Sequence, residues 1–197
     1  VADNHGATAT STEKAYFETG LLTEQAWGAT KWIKATTSMT TPGEEEEVTD
    51  YEVEVKFEIK SLAAGLIFAA KDHNNYYMWQ VNTLTGSPRF RPHRWQNGGA
   101  ACLEEKNLNI SLKNNEVHTL RVEVTGGKTA KAYIDGALID TRTGDFAYGD
   151  FGFREDYDNG NVPEQAYFDD FKVTSGGRVL LEEDFSKKAR LFAGGEV

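Results

Sequence analysis

The chain has 197 residues, a length normal for one β-sandwich, with 39% apolar content, 12% aromatic content and 19 glycines. Its net charge of −10 and pI near 4.9 repel phosphate backbones, so nucleic acid is excluded as an expected partner and neutral glycans or cations fit better. No apolar run approaches the roughly 18–20 residues that cross a bilayer, and no membrane partner is expected.

From the N-terminus, Val1-Ala2-Asp3-Asn4-His5-Gly6 has neither a basic region nor an apolar stretch, and no initiator Met. This reads as a processed chain or a fragment of something larger. Residues 1–35 have their own character: a Thr-rich start, then Tyr16 to Leu22, then Lys31-Trp32-Ile33. Glu44-Glu45-Glu46-Glu47, after Pro42-Gly43, reads as a solvated loop, because four adjacent carboxylates rarely converge on one cation.

Helical periodicity is nearly absent. From Tyr51 to Ile59 odd positions are apolar and even ones charged, the period of two of a half-buried strand. Ala64 to Ala70 is a continuous apolar run and predicts a more deeply buried strand. Asn75 to Asn82 follows, with Tyr77, Trp79 and Val81 on one face and Tyr76, Met78 and Gln80 on the other. Cys102 is the only cysteine, so no internal disulfide is possible, and Ala100-Ala101-Cys102-Leu103 predicts a strand with a buried thiol.

Val117 to Thr125 places Leu120, Val122 and Val124 inward. Lys128 to Ile134 and Ala137 to Asp140 flank Asp135-Gly136, the favoured pair for a type I′ hairpin. Phe151-Gly152-Phe153, Ala166 to Val173 and Val179 to Phe185 complete about a dozen strands, a spacing that predicts two packed antiparallel sheets.

Such a sandwich can carry a glycanase, which needs two carboxylates either side of the scissile bond. Neither Glu-x-Asp-x-Glu nor Glu-x-Asp-x-x-Glu occurs. Glu52, Glu54 and Glu58 share a strand face with Lys56 and read as a solvent face. His5, His73, His93 and His118 lack metal-ligand spacing, and there is no nucleophile elbow or phosphate-cradling glycine loop. No catalytic machinery is expected.

Two loops are dense in side-chain oxygens: Lys71-Asp72-His73-Asn74-Asn75, and residues 154–164, from Arg154-Glu155-Asp156-Tyr157 through Asn161-Val162-Pro163-Glu164. Oxygen-rich loops suit calcium, which takes about 6–8 oxygen ligands, and equally suit sugar hydroxyls; ordinary solvated turns have the same composition. Trp95, at a strand end beside a Gly-rich turn, stands where a sugar-stacking platform would be, with Tyr157 a second candidate. Trp79, mid-strand, reads as core.

Tyr16-Phe17-Glu18-Thr19-Gly20-Leu21-Leu22, Trp27 and Lys31-Trp32-Ile33 together resemble the segment that leads out of the N-terminal β-domain of bacterial alpha-L-rhamnosidases of glycoside hydrolase family 78. Gly65 to Asp72, Asn74 to Gln80, Gly152-Phe153-Arg154 and Glu164 to Asp170 resemble the jelly-roll module inserted there, a carbohydrate-binding module of family 67. The tail from Asp184-Phe185 to Gly195 resembles the return into the parent enzyme.

The resemblance implies a concanavalin-like all-β jelly roll over residues 36–185, with 1–35 as lead-in and 186–197 as lead-out. It implies calcium-dependent binding of L-rhamnose or of rhamnose-containing polysaccharide outside the cell or in the periplasm, with the parent enzyme's catalytic domain as a partner. Carried over, Asp72, Asn74 and Asn75 would supply oxygens to calcium and sugar. Asn161 and the backbone carbonyl of Pro163 would complete the ion's shell, and Arg154 or Glu155 would fix a further hydroxyl. The family's catalytic barrel has no counterpart in the sequence, so rhamnoside hydrolysis is not expected. A ligand-free spacer sandwich and a stand-alone glycanase are the competing readings.

Overall fold

The computed structural model describes residues 30–33 (backbone), 48–83, 87–154 and 163–185. Tyr16 to Leu22, Trp27, the Glu44–Glu47 run and the tail beyond Phe185 lie outside the described residues. Among the described residues there are thirteen strands: β1 (Thr30–Ile33), β2 (Tyr51–Ser61), β3 (Ala63–Asp72), β4 (Asn75–Asn82), β5 (Arg89–Gln96), β6 (Gly99–Cys102), β7 (Lys106–Asn107), β8 (Val117–Thr125), β9 (Thr129–Ile134), β10 (Ala137–Thr143), β11 (Asp150–Arg154), β12 (Gln165–Ser175) and β13 (Arg178–Glu183). The expected Val179–Phe185 strand is thus shifted by one residue at its start and ends two residues earlier.

The strands form two antiparallel sheets. The front sheet runs β1-β11-β3-β4-β5-β6, with β7 also on β5, and the back sheet runs β10-β9-β8-β2-β12-β13. In β2 the apolar positions Tyr51, Val53, Val55, Phe57 and Ile59 are all buried, while Glu52, Glu54, Lys56 and Glu58 point away from the core, as the alternation predicts. A single residue, Leu62 at φ 59°, carries the chain from β2 in the back sheet to β3 in the front sheet. Between the sheets lies one core built on Phe57, Leu66, Phe68, Trp79, Phe90, Val122, Phe151 and Phe171.

Tight turns join neighbouring strands. Asp135-Gly136 (φ 49° and 80°), Asn97-Gly98 (50° and 77°) and Gly176-Gly177 (55° and 79°) each place two residues at positive φ, the type I′ geometry that matches strand twist. Pro92, which cannot donate to a ladder, sits where β5's partner changes: β6 pairs as far as His93↔Cys102 and β7 resumes at Phe90↔Lys106. The expected burial of Cys102 is not observed. Its strand is at the sheet edge, all four residues of β6 are exposed, and the thiol is solvent-facing.

Candidate functional site

Strand β4 of the front sheet is buried on both faces. Tyr77, Trp79 and Val81 of β4 point into the main core, yet Tyr76, Met78, Gln80 and Asn82 on the opposite face are also no more than 8% exposed. The register lays the outer face out in rows. Arg154, Gly65, Gln80 and Arg91 are successive cross-strand partners on β11, β3, β4 and β5. The next row is Gly152, Ile67, Met78, His93 and Cys102, and beyond it Tyr76 pairs with Trp95 and Trp95 with Ala100.

The first row carries a polar chain. Gln80 Nε2 donates to Glu164 Oε1 at 3.0 Å, Arg154 Nε donates to Glu164 Oε2 at 3.0 Å, and Arg91 Nη1 donates to Gln80 Oε1 at 3.3 Å. Arg91 and Arg89 then share Glu105 at 3.0 and 2.9 Å. Gly65 makes room for this row, since a Cβ there would stand 2.9 Å from Arg154 Cβ and 3.0 Å from Met78 Sδ. Glu164 is 3% exposed, so its carboxylate is stabilised by these partners and not by water. Glu164→Ala removes the buried carboxylate that Arg154 and Gln80 share and is expected to cost about 2–3 kcal/mol of stability. Urea unfolding checks this; an unchanged midpoint would show that the chain of polar contacts contributes nothing.

At the other end of the face stands the aromatic pair. Trp95 lies flat on Tyr76, ring centroids 4.8 Å apart and planes within 11°, and packs against the small apolar cluster of Ile67, Ala70, Tyr76 and Met78. Trp95 is half-buried, so part of the indole meets solvent. His93 lies beside it, ring centroids 5.9 Å apart. Its Nδ1 is 2.9 Å from the Arg91 carbonyl, which can only accept, so that nitrogen carries the proton and Nε2 is left as an acceptor. Burial pushes the His93 pKa down to about 4, which keeps the ring neutral at physiological pH.

The turn from β3 to β4 abuts this pair. The Asn74 N–H donates to Asp72 Oδ1 at 2.7 Å, and Asn75 Nδ2 donates to both Asp72 oxygens at 2.9 and 3.0 Å. The Asn74 and Asn75 donors hold the Asp72 carboxyl below its ordinary pKa. The Asn97 N–H donates to Asn75 Oδ1 at 3.0 Å, and the Gly98 N–H donates to the Asn74 carbonyl at 3.0 Å. A bulge at Ala69 (φ 51°) sets the approach to this turn, turning Ala69 to the main core and Ala70 to the outer cluster.

Among the residues expected in the site, Asp72, Asn74, Asn75 and Trp95 come together. Arg154 does not join them. It shares a row with Gln80, five residues along β4 from Asn75, a distance of about 17 Å at about 3.3 Å per residue. Glu155, Tyr157 and Asn161 lie outside the described residues.

Of the residues expected to hold calcium, Asp72 and Asn75 adjoin each other, Pro163 precedes Glu164 of the polar row, and Asn161 lies outside the described residues. Pro163 stands two positions before Gln165, which pairs with Ser61, while Asp72 is at the far end of the ten-residue strand β3. Asp72 and Asn75 together offer three oxygens, all of them already accepting hydrogen bonds. Among the described residues no group of three or more His, Cys, Asp or Glu is placed to hold a metal. The carboxylates of β2 are engaged in surface pairs, Glu52 with Arg121 at 2.5 Å and Glu58 with Lys60.

Gln80, Arg91, His93 and Glu164 escaped the sequence reading as site residues. The signal for Arg91 and His93 was present in the alternation Arg89-x-Arg91-x-His93-x-Trp95, which puts three cationic or titratable groups and an aromatic on one strand face.

No protein-family model matches the chain, and no curated protein matches it in sequence. Solved structures do. The carbohydrate-binding module CBM66 from Bacillus subtilis is similar with a TM-score of 0.53 at 20% identity, covering 76% of this chain and 97% of that one. CG-16, a homodimeric agglutinin from chicken liver, has a TM-score of 0.52 at 9% identity and covers 74% and 99%. Toad ovary galectin in complex with thio-digalactose has a TM-score of 0.51 at 9% identity and covers 74% and 98%. The fold is therefore the concanavalin-like jelly-roll sandwich that the resemblance implies, built of the two antiparallel sheets that the strand pattern predicts.

Proposed function

We propose that this chain is a non-catalytic carbohydrate-binding module that receives its sugar at the Tyr76–Trp95 end of the front sheet. The observation that carries the reading is the Trp95 indole, backed by Tyr76 and still partly open, beside a neutral imidazole acceptor and a turn of amide groups. An aromatic plane takes the C–H face of a pyranose, while imidazole and amide groups take its hydroxyls. Neutral hydrogen-bonding groups suit a neutral sugar, and the chain's net negative charge disfavours an anionic one. The fold shared with a carbohydrate-binding module and with galectins supports this reading.

The sugar we propose is L-rhamnose, from the likeness of Gly65–Asp72 and Asn74–Gln80 to rhamnose-binding modules. Its role would be to hold a larger alpha-L-rhamnosidase on rhamnose-decorated polysaccharide outside the cell, raising the effective substrate concentration. Few atoms of one monosaccharide are buried in such a site, so the dissociation constant is expected on the order of 0.1–1 mM. Calcium is given no step in this reading, because Asp72 and Asn75 offer three side-chain oxygens of the about 6–8 it takes.

Calorimetric titration with L-rhamnose, in calcium and again in chelator, tests both points. Saturable heat in both buffers is the expected result. Heat only with calcium would place an ion in the site and overturn the ion-free reading; no heat with rhamnose or with a glycan array would leave a spacer sandwich.

A further inference from the structure

The turn at Asp72–Asn75 does something other than present oxygens. A carboxylate accepts only, and a backbone N–H donates only, so the orientation of the Asn75 amide is fixed: its nitrogen faces Asp72 and its oxygen faces Asn97. Asn75 is thereby a strut between two hairpins, β3–β4 and β5–β6, with the Gly98 N–H to Asn74 carbonyl bond as a second tie. The turn it grips begins two residues after Trp95, and the cross-strand partner of Trp95 is Tyr76, next to Asn75. Both rings of the stacked pair are therefore anchored through one side-chain amide.

Resting on the sugar-binding reading, we infer that Asn75 is a positioning residue and not a sugar or metal ligand: it passes the Asp72 anchor on to Asn97 and so fixes the Trp95 plane against Tyr76. Asp72 is the immobilising end, held by three donated hydrogen bonds from Asn74 and Asn75. Asn75 is the transmitting element, because its two ends satisfy opposite hydrogen-bonding needs. Neither group has to touch the ligand for its loss to be felt at the platform.

The roles are separable by exchange. Asn75→Ala removes both bonds, and Asn75→Asp sets two carboxylates side by side where an amide donated to one. Each is expected to weaken rhamnose binding about tenfold at pH 7, the effect of losing roughly one charge-assisted hydrogen bond from the support. The swap D72N/N75D restores the pattern in mirror form. An amide at position 72 donates to a carboxylate at position 75, which still accepts from the Asn97 N–H. The swap is expected to bind within about threefold of the parent chain.

Amide exchange at Asn97, followed by NMR, reads the strut without any sugar: protection should fall in Asn75→Ala and return in the swap. If Asn97 exchange is the same in the parent chain and Asn75→Ala, the strut is overturned whether or not sugar binds. If the swap regains Asn97 protection yet binds rhamnose no better than Asn75→Ala, then Asn75 is a ligand and the inference is wrong. If no variant, parent chain included, binds any sugar, the functional reading fails while the exchange data still decide the strut.

Discussion

Trp95→Ala is expected to abolish detectable sugar binding while leaving the fold intact. A buried or half-buried tryptophan at the centre of a site commonly accounts for about 2 kcal/mol or more on truncation, a loss of about thirtyfold. Starting from a dissociation constant of about 0.1–1 mM, that moves binding beyond calorimetric reach. Stability should change little: Trp95 packs against the satellite cluster on the outer face and not into the main core, and losing its stack on Tyr76 costs about 1 kcal/mol. Titration and thermal unfolding on the same sample separate the two. Undiminished rhamnose binding by a well-folded Trp95→Ala would remove the proposed platform from the site.

The same substitution on the other face of the same sheet has the opposite consequence. Trp79 is fully buried and packs edge-on against Phe68 at 4.7 Å, Phe90 at 5.5 Å and Phe146 at 6.1 Å. Trp79→Ala leaves a cavity that three rigid rings cannot collapse into, for an expected loss of about 3–5 kcal/mol. Against a typical total of about 5–15 kcal/mol, that is enough to populate unfolded chain near 37 °C. Trp79→Phe should cost distinctly less, because the indole N–H has no hydrogen-bond partner among the described residues and leaves none stranded. Equal losses from the two substitutions, read by denaturant unfolding, would contradict this account of the cavity.

These two tryptophans also mark what was legible in the sequence. The period-two pattern of Tyr51–Ile59 and the apolar run Ala64–Ala70 identify β2 and β3, because alternation and full burial are properties of single strands. Asp135-Gly136 identifies its hairpin because turn chemistry is local. The Asp72–Asn75 turn and Trp95 were recognisable as chemistry-bearing for the same reason. What escaped is set by which ends of which strands coincide. Pro163 and Asp72 look like two lips of one site when only loop composition is visible. Whether they meet is a matter of strand pairing, such as Gln165↔Ser61, which loop composition does not carry. Cys102 has the neighbours of a core residue in sequence, Ala101 and Leu103, but its place at a sheet edge is a property of the topology. The polar row through Gln80 and Glu164 joins positions 84 apart, beyond any local pattern.

The back sheet has a consequence for how the chain reaches this state. Its strand β2 is flanked by β8 on one side and β12 on the other, and the Lys56–Asp170 pair closes a separation of 114 residues. Few of the contacts that stabilise β2 are near it in sequence, so the loop-closure entropy of most of the domain is lost before those contacts form. Folding on the millisecond-to-second scale of non-local β proteins follows. On a ribosome adding about 5–20 residues per second, the β3–β4–β5 meander can pair as it emerges. Meanwhile the alternating, half-apolar β2 waits several seconds with an unpaired edge until β12 arrives. That interval, and not the finished sandwich, is when the chain is most open to pairing with a neighbour, and chains truncated before Gln165 keep it open indefinitely.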